Sequence, residues 1–113
     1  MDNIKNDEYY LNKIRYCFER IKTAMKDISY ENYCEDVCLQ ESTMFNLIQL
    51  SEYSRKLSDE YRNRNAKIPW TDIYGLRNRI VHDYGNVALT VVYSTLIDDI
   101  PDLYKMIFDD HGA

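Results

Sequence analysis

The apolar residues of this chain fall into stripes at helical spacing. Leu11, Ile14, Phe18, Ile21, Met25 and Ile28 lie three and four apart, with Lys13, Arg15, Glu19 and Lys22 outside the stripe. That spacing predicts one amphipathic helix of five turns. Ser29 is placed to cap a short helix over residues 30–37. Leu47, Leu50, Ser54, Leu57 and Tyr61 repeat the spacing and predict a third helix that dissolves in the polar stretch 62–67. Pro69 restarts the chain: Thr71 or the Pro69–Trp70 pair opens a helix with Ile73, Leu76, Ile80 and Tyr84 inside, and Gly85 ends it. Asn86 is placed to cap a last segment striped by Leu89, Val92, Leu96 and Ile100 and widened by Val91, Tyr93 and Ile97. Pro101 must kink that helix or begin a new one at Asp99. Residues 87–93 also carry strand propensity, but no partner strand exists elsewhere, so helix is the consistent reading. The expected architecture is all-α: an up-and-down four-helix bundle with a short extra helix, forming a single domain over residues 1–113.

Composition supports a packed domain. With 113 residues, 45% hydrophobic and 29% charged, the chain suits one core, and only three glycines and two prolines interrupt it. Eleven tyrosines suit helix edges, with rings buried and hydroxyls wet, or an oligomer interface. The N-terminus lacks the apolar stretch of a signal peptide, and no apolar run reaches the roughly 20 residues that span a bilayer. Cys17, Cys34 and Cys38 are odd in number and form no Cys-x-x-Cys pair. Thiols in a reducing cytoplasm are expected, with no metal site.

The net charge of −5 argues against indiscriminate nucleic-acid binding, because phosphate affinity comes from clustered Lys and Arg. The average hides an asymmetry. Residues 62–79 hold Arg62, Arg64, Lys67, Arg77 and Arg79 against Asp72 alone, so they carry +4 and the other 95 residues −9. A phosphate ligand with a small footprint is compatible with that distribution.

Residues 68–85 depart from ordinary bundle composition. Arg77, Asn78, Arg79, His82 and Tyr84 fall within eight residues, and His82 is one of two histidines, the other being His111. A histidine exchanges protons near neutrality, and a guanidinium holds phosphate through two hydrogen bonds. Arg plus His is a minimal set for moving a phosphoryl group between oxygens without metal. On an α-helix, however, residues five apart are separated by about 140°. Arg77 and His82 therefore do not share a face, whereas Asn78 and His82 do, and so do Arg77 and Tyr84. One phosphate can meet both groups if Arg77 reaches around on its stem, or if two copies of the helix face each other across a dimer. The dimer is favoured, since it doubles the positive charge at one place. The plainer alternative is structural: His82 as a cation at a helix C-terminus, worth about 0.3–1 kcal/mol, with Arg77 and Arg79 paired to Asp72, Asp83 or another acid.

The fragment from Ile68-Pro69-Trp70 to His82-Asp83-Tyr84-Gly85 resembles the motif of the HEPN superfamily, and more closely that of HepT-like toxins from prokaryotic toxin–antitoxin pairs. That family has an Arg, four residues, a His, one residue and a Tyr, which Arg77, His82 and Tyr84 match. Asn78 matches the usual polar position. Leu39-Gln40 and residues 46–52 are similar to the family's third helix. Two departures stand out. A Gly-Glu-Ala element reads Ser51-Glu52-Tyr53 here, and the aromatic that often follows the tyrosine is Gly85.

The resemblance implies a metal-independent endoribonuclease without cofactor, working as a homodimer in a type VII-like toxin–antitoxin system. It implies Arg77 and His82 as catalytic residues, with Asn78 and Arg79 positioning phosphate. It also implies that Tyr84 is adenylylated by a cognate MNT-type nucleotidyltransferase antitoxin. The competing expectations are a non-catalytic helical module that binds a nucleotidyltransferase or nucleotide, and a purely structural bundle.

Overall fold

A computed structural model describes residues 5–109, apart from the side chains of Tyr84 and Asp109; His111 lies outside the described residues. The first stripe forms α1 (Asp7–Met25), whose N-cap Asn6 accepts a hydrogen bond from the Tyr9 N–H at 3.0 Å. Ile14, Cys17, Phe18, Ile21 and Met25 are its buried residues. Ile28, expected as the last of the stripe, falls beyond the helix. The chain leaves α1 through Asp27, whose φ of 59° turns it sharply, and Ile28 packs half-buried from the turn.

Ser29 caps α2 (Tyr30–Glu35), its Oγ accepting from the Asn32 N–H at 3.1 Å. This helix stops short of residue 37. Asp36 leaves helical geometry to cap α3 (Val37–Arg55), accepting from the Leu39 N–H at 3.0 Å. The third stripe also divides where spacing suggested continuity. α3 ends at Arg55, Leu57 plugs the turn at 2% exposure, and Ser58 caps a separate α4 (Asp59–Arg64). The bundle thus carries two short helices, α2 and α4, where one was expected.

The break is held from a distance. Both carboxylate oxygens of Asp7 accept from Ser58, at 2.8 Å from its backbone N–H and 2.7 Å from its hydroxyl. Those two bonds, the hydroxyl's first, draw the Asp7 carboxyl below its ordinary value. A depressed folded-state pKa stabilises the fold above the unfolded value of 3.8, and the contribution disappears as pH falls through the folded value. Asp7→Asn should therefore destabilise the protein at pH 7 but not in acid near the unfolding limit. Urea titrations of both proteins at pH 7 and pH 3 check this; a difference independent of pH would contradict it.

α5 (Trp70–His82) opens as expected behind Pro69, with Trp70 Nε1 donating to the Asn65 carbonyl at 3.2 Å. It ends at His82, earlier than a Gly85 stop implies: Asp83 leaves the helix and a 3₁₀ turn (Tyr84–Asn86) follows. Gly85 sits inside that turn without left-handed backbone. Asn86 is not the next cap; its amide donates back to Asp83 at 3.2 Å, and Ala88 precedes the final rod.

That rod runs from residue 89 to 109 as α6 (Leu89–Ser94), a π-turn (Thr95–Asp99), α7 (Ile100–Tyr104) and a second π-turn (Lys105–Asp109). Pro101 lies in the first turn of α7, whose N-cap position is Asp99, so a new α-helical segment begins there as expected, while the rod runs on without a break. The proline's missing N–H and bulky ring disfavour a tight turn, and the chain widens instead, with the Ile100 N–H donating to the Thr95 carbonyl.

α3 is the centre of the packing: α1 lies on one side, α5 on the other, and the rod closes against α1. No strand occurs among the described residues, and no described helix is long and apolar enough to cross a membrane. The tyrosines mostly occupy the boundary. Of the tyrosine side chains described, Tyr33 alone is fully buried, bonded through its hydroxyl to Thr43 Oγ1 at 2.9 Å, and Tyr16 alone is largely exposed.

Candidate nuclease site

α5 buries Ile73 and Ile80, so its remaining faces are fixed by helical rotation. Arg77 lies on the flank toward α3, half-buried. Its Nε donates to Glu52 Oε2 at 2.8 Å, and its Nη1 donates to Asn78 Oδ1 at 3.2 Å. A guanidinium has five N–H donors. Nε and Nη1 are engaged here, and Nη2, with no hydrogen bond to a described residue, stays available to a phosphate.

Glu52 was not among the residues singled out for chemistry. Its only sequence signal is its place in Ser51-Glu52-Tyr53, and the missing information is register. α3 and α5 run antiparallel, pairing Glu52 with Arg77 and bringing the Arg55 guanidinium within 4.8 Å of the Tyr74 ring centre. Ser51, beside Glu52, buries its hydroxyl with no hydrogen-bond partner.

Asn78 and His82 project from the exposed face of α5, as their spacing predicts. Among the described residues His82 makes no hydrogen bond or ion pair, so its ring is free to meet a ligand. Arg77 and His82 are not brought together within one chain, because uninterrupted α-helix keeps them about 140° apart. The expected alignment of Arg77 with Tyr84 is not delivered by α5, which ends two residues before Tyr84. Arg79 emerges on the flank away from Arg77, in a groove between α3, α5 and the rod that Asp72, Asp99 and Asp102 also line.

The basic cluster is smaller than the sequence count implies. Arg62 pairs with Asp59 and donates to the Tyr74 hydroxyl at 3.1 Å, and Arg64 pairs with Glu60 at 3.2 Å. Asp59 and Glu60 lie just before the counted window, so α4 neutralises its own arginines. Concentrated charge at the motif therefore rests on Arg77 and on what a second copy brings.

Of the cysteines, Cys17 is buried, which pushes its thiol up to about 11 and makes it a poor nucleophile, while Cys34 is half-buried and Cys38 exposed. Among the described residues no group of three or more His, Cys, Asp or Glu is arranged to hold a metal ion.

The sequence is similar to that of known proteins. Residues 14–108 match the model of a family described as "Ribonuclease HepT-like". The chain is 29% identical over 100 residues to "Putative RNase TTE0752" of Caldanaerobacter subterraneus subsp. tengcongensis, covering 88% of this chain and 86% of that protein. It is 27% identical over 94 residues to "Probable ribonuclease HepT" of Thermococcus cleftensis, covering 83% and 86%. A third relative, "Putative RNase MJ1380" of Methanocaldococcus jannaschii, is 25% identical over 80 residues, covering 71% and 73%. No solved structure matches the chain. An all-α bundle that presents Arg77, Asn78 and His82 on one helix, matched to the family over nearly its whole length, belongs to the HepT-like ribonucleases, RNA endonucleases of the HEPN superfamily.

Proposed function

We propose that the protein is a metal-independent endoribonuclease toxin whose site forms where the α5 helices of two copies meet. The observation that carries this reading is the division of the motif. Arg77 is clamped by Glu52 on one flank of α5, and His82 stands unpartnered on another face. One chain cannot readily close both groups on one phosphate, whereas two facing copies can.

In the composite site His82 accepts the proton of a ribose 2′-hydroxyl. The 2′-oxygen then bonds to the adjacent phosphorus as the bond to the 5′-oxygen breaks, and the leaving oxygen takes up a proton. Products are a 2′,3′-cyclic phosphate and a free 5′-hydroxyl. The open edge of Arg77 stabilises the charge that builds on the phosphorane oxygens. Asn78, held by Arg77, aligns the phosphate.

The neutralising partner is a nucleotidyltransferase antitoxin acting in the same cytoplasm. Attaching AMP to Tyr84, two residues beyond His82, puts bulk and a phosphate at the cleft, where both exclude RNA and compete for Arg77. Intact-mass analysis after co-expression with a neighbouring nucleotidyltransferase should show one added AMP on Tyr84; an inactivated protein with unmodified Tyr84 would refute this mode of control.

The decisive substrate is an oligoribonucleotide and its fully 2′-deoxy counterpart. The ribo form is cut to a cyclic phosphate end and the deoxy form survives. Equal cleavage of both would overturn the mechanism, and binding without cleavage of either would point to a non-catalytic module.

A further inference from the structure

We infer that a shallow groove between α1 and α3 is a stacking subsite for an unpaired RNA base beside the scissile phosphate. This inference rests on the ribonuclease reading and adds a binding site to it. Tyr16 and Phe45 are each 59% exposed, the most exposed aromatic rings among the described residues, and both line one groove of about 600 Å³. Rings so exposed on neighbouring helices leave apolar faces in water, and each has a π-face that any base can cover. The Tyr16 ring is not loose: Arg20 donates to its hydroxyl at 3.1 Å and holds its guanidinium 5.5 Å from the ring centre. That arrangement preorganises a platform and sets a cation where a nucleotide phosphate passes.

The groove also carries polar groups suited to base edges. Asn46 and Gln49 line it, and Asn46, only 6% exposed, donates its amide N–H to the Ser42 carbonyl at 2.9 Å, leaving its own oxygen as an acceptor. An aromatic floor with amide acceptors fits a base with exocyclic amino groups better than it fits the all-apolar face of a second copy.

Position links the groove to the chemistry. Phe45 and Glu52 lie seven residues apart on α3, so they share a face at a rise of about 10 Å. Because α3 and α5 are antiparallel, moving from Glu52 toward Phe45 follows α5 from Arg77 toward His82. A strand whose phosphate lies on Arg77 can thus seat a neighbouring base over Phe45. RNA recognition by unstacked bases laid on aromatic rings requires single-stranded substrate, so unpaired RNA is the substrate class this site selects.

The test uses Phe45→Ala, Phe45→Leu and Phe45→Trp with a single-stranded oligoribonucleotide. Phe45 is 59% exposed, so thermal unfolding and native mass should show fold and oligomeric state unchanged in each variant. Alanine and leucine should each raise KM about tenfold with kcat retained, and tryptophan should restore KM. A 2-aminopurine base beside a 2′-deoxy cleavage position should be quenched on binding wild type and not on binding Phe45→Ala. Unchanged KM and quenching in Phe45→Ala overturn the inference. Recovery by leucine, or a loss of dimer mass, also overturns it by showing an apolar contact between copies. If wild type leaves ribo-oligonucleotides uncut, the ribonuclease reading itself fails, and the quenching still reports on the groove.

Discussion

Replacing His82 with alanine lowers the rate of RNA cleavage by about 10²–10⁴-fold, the ordinary worth of a positioned acid–base group. The expectation is sharp because the residue contributes so little to the fold. His82 is exposed at the last position of α5 and has no hydrogen bond or ion pair among the described residues. Its removal forfeits at most the helix-dipole interaction of about 0.3–1 kcal/mol. Unfolding midpoints of the variant and wild type should therefore nearly coincide while their rates of product formation differ by orders of magnitude. Parallel loss of stability and activity would assign His82 a structural role instead.

Arg77→Ala is the second large effect, a fall in kcat of about 10²–10³-fold from loss of one charge-stabilising group. Its stability cost is small, since the ion pair with Glu52 is about one-third exposed on both sides, and such pairs contribute about 0–1 kcal/mol. Arg77→Lys separates charge from geometry. A lysine has a single ammonium and cannot hold Glu52 with one edge while presenting another to phosphate. Most of the loss should persist in the lysine variant when kcat is measured at saturating RNA. Full rescue by lysine would show that Arg77 acts only as a point charge.

Much of the fold was legible because apolar periodicity records burial directly. Ile14, Phe18, Ile21 and Met25 appear in the sequence at the spacing with which they enter the core. Periodicity failed where a buried residue sits in a turn. Leu57 continues the α3 spacing although the helix has ended, and Ser58, which caps the next helix, is held by Asp7, 51 residues away. Pro101 posed the opposite problem: a local breaker is absorbed by a π-turn because the rod around it is packed through Leu96, Ile100 and Leu103.

The site was legible to the same extent. Arg77, Asn78 and His82 are read from local spacing, and their faces follow from a helix that exists. Glu52 was invisible as a partner, since pairing it with Arg77 requires the register of α3 against α5. The acids of α4 mattered as well, because Asp59 and Glu60 cancel arginines that a one-dimensional count leaves free. Local chemistry is written in order along the chain; electrostatic compensation is written in contacts.

The most direct test of a site shared between two chains is complementation of two inactive proteins. Arg77→Ala and His82→Ala are co-expressed, and mixed dimers are verified by native mass spectrometry. In a mixed dimer one composite site loses both groups and the other keeps both. Half of randomly paired dimers are mixed, so cleavage should return to about one quarter of the wild-type rate under twofold symmetry. A mixture as inactive as either variant alone, with mixed dimers present, would contradict a site built from Arg77 of one copy and His82 of the other.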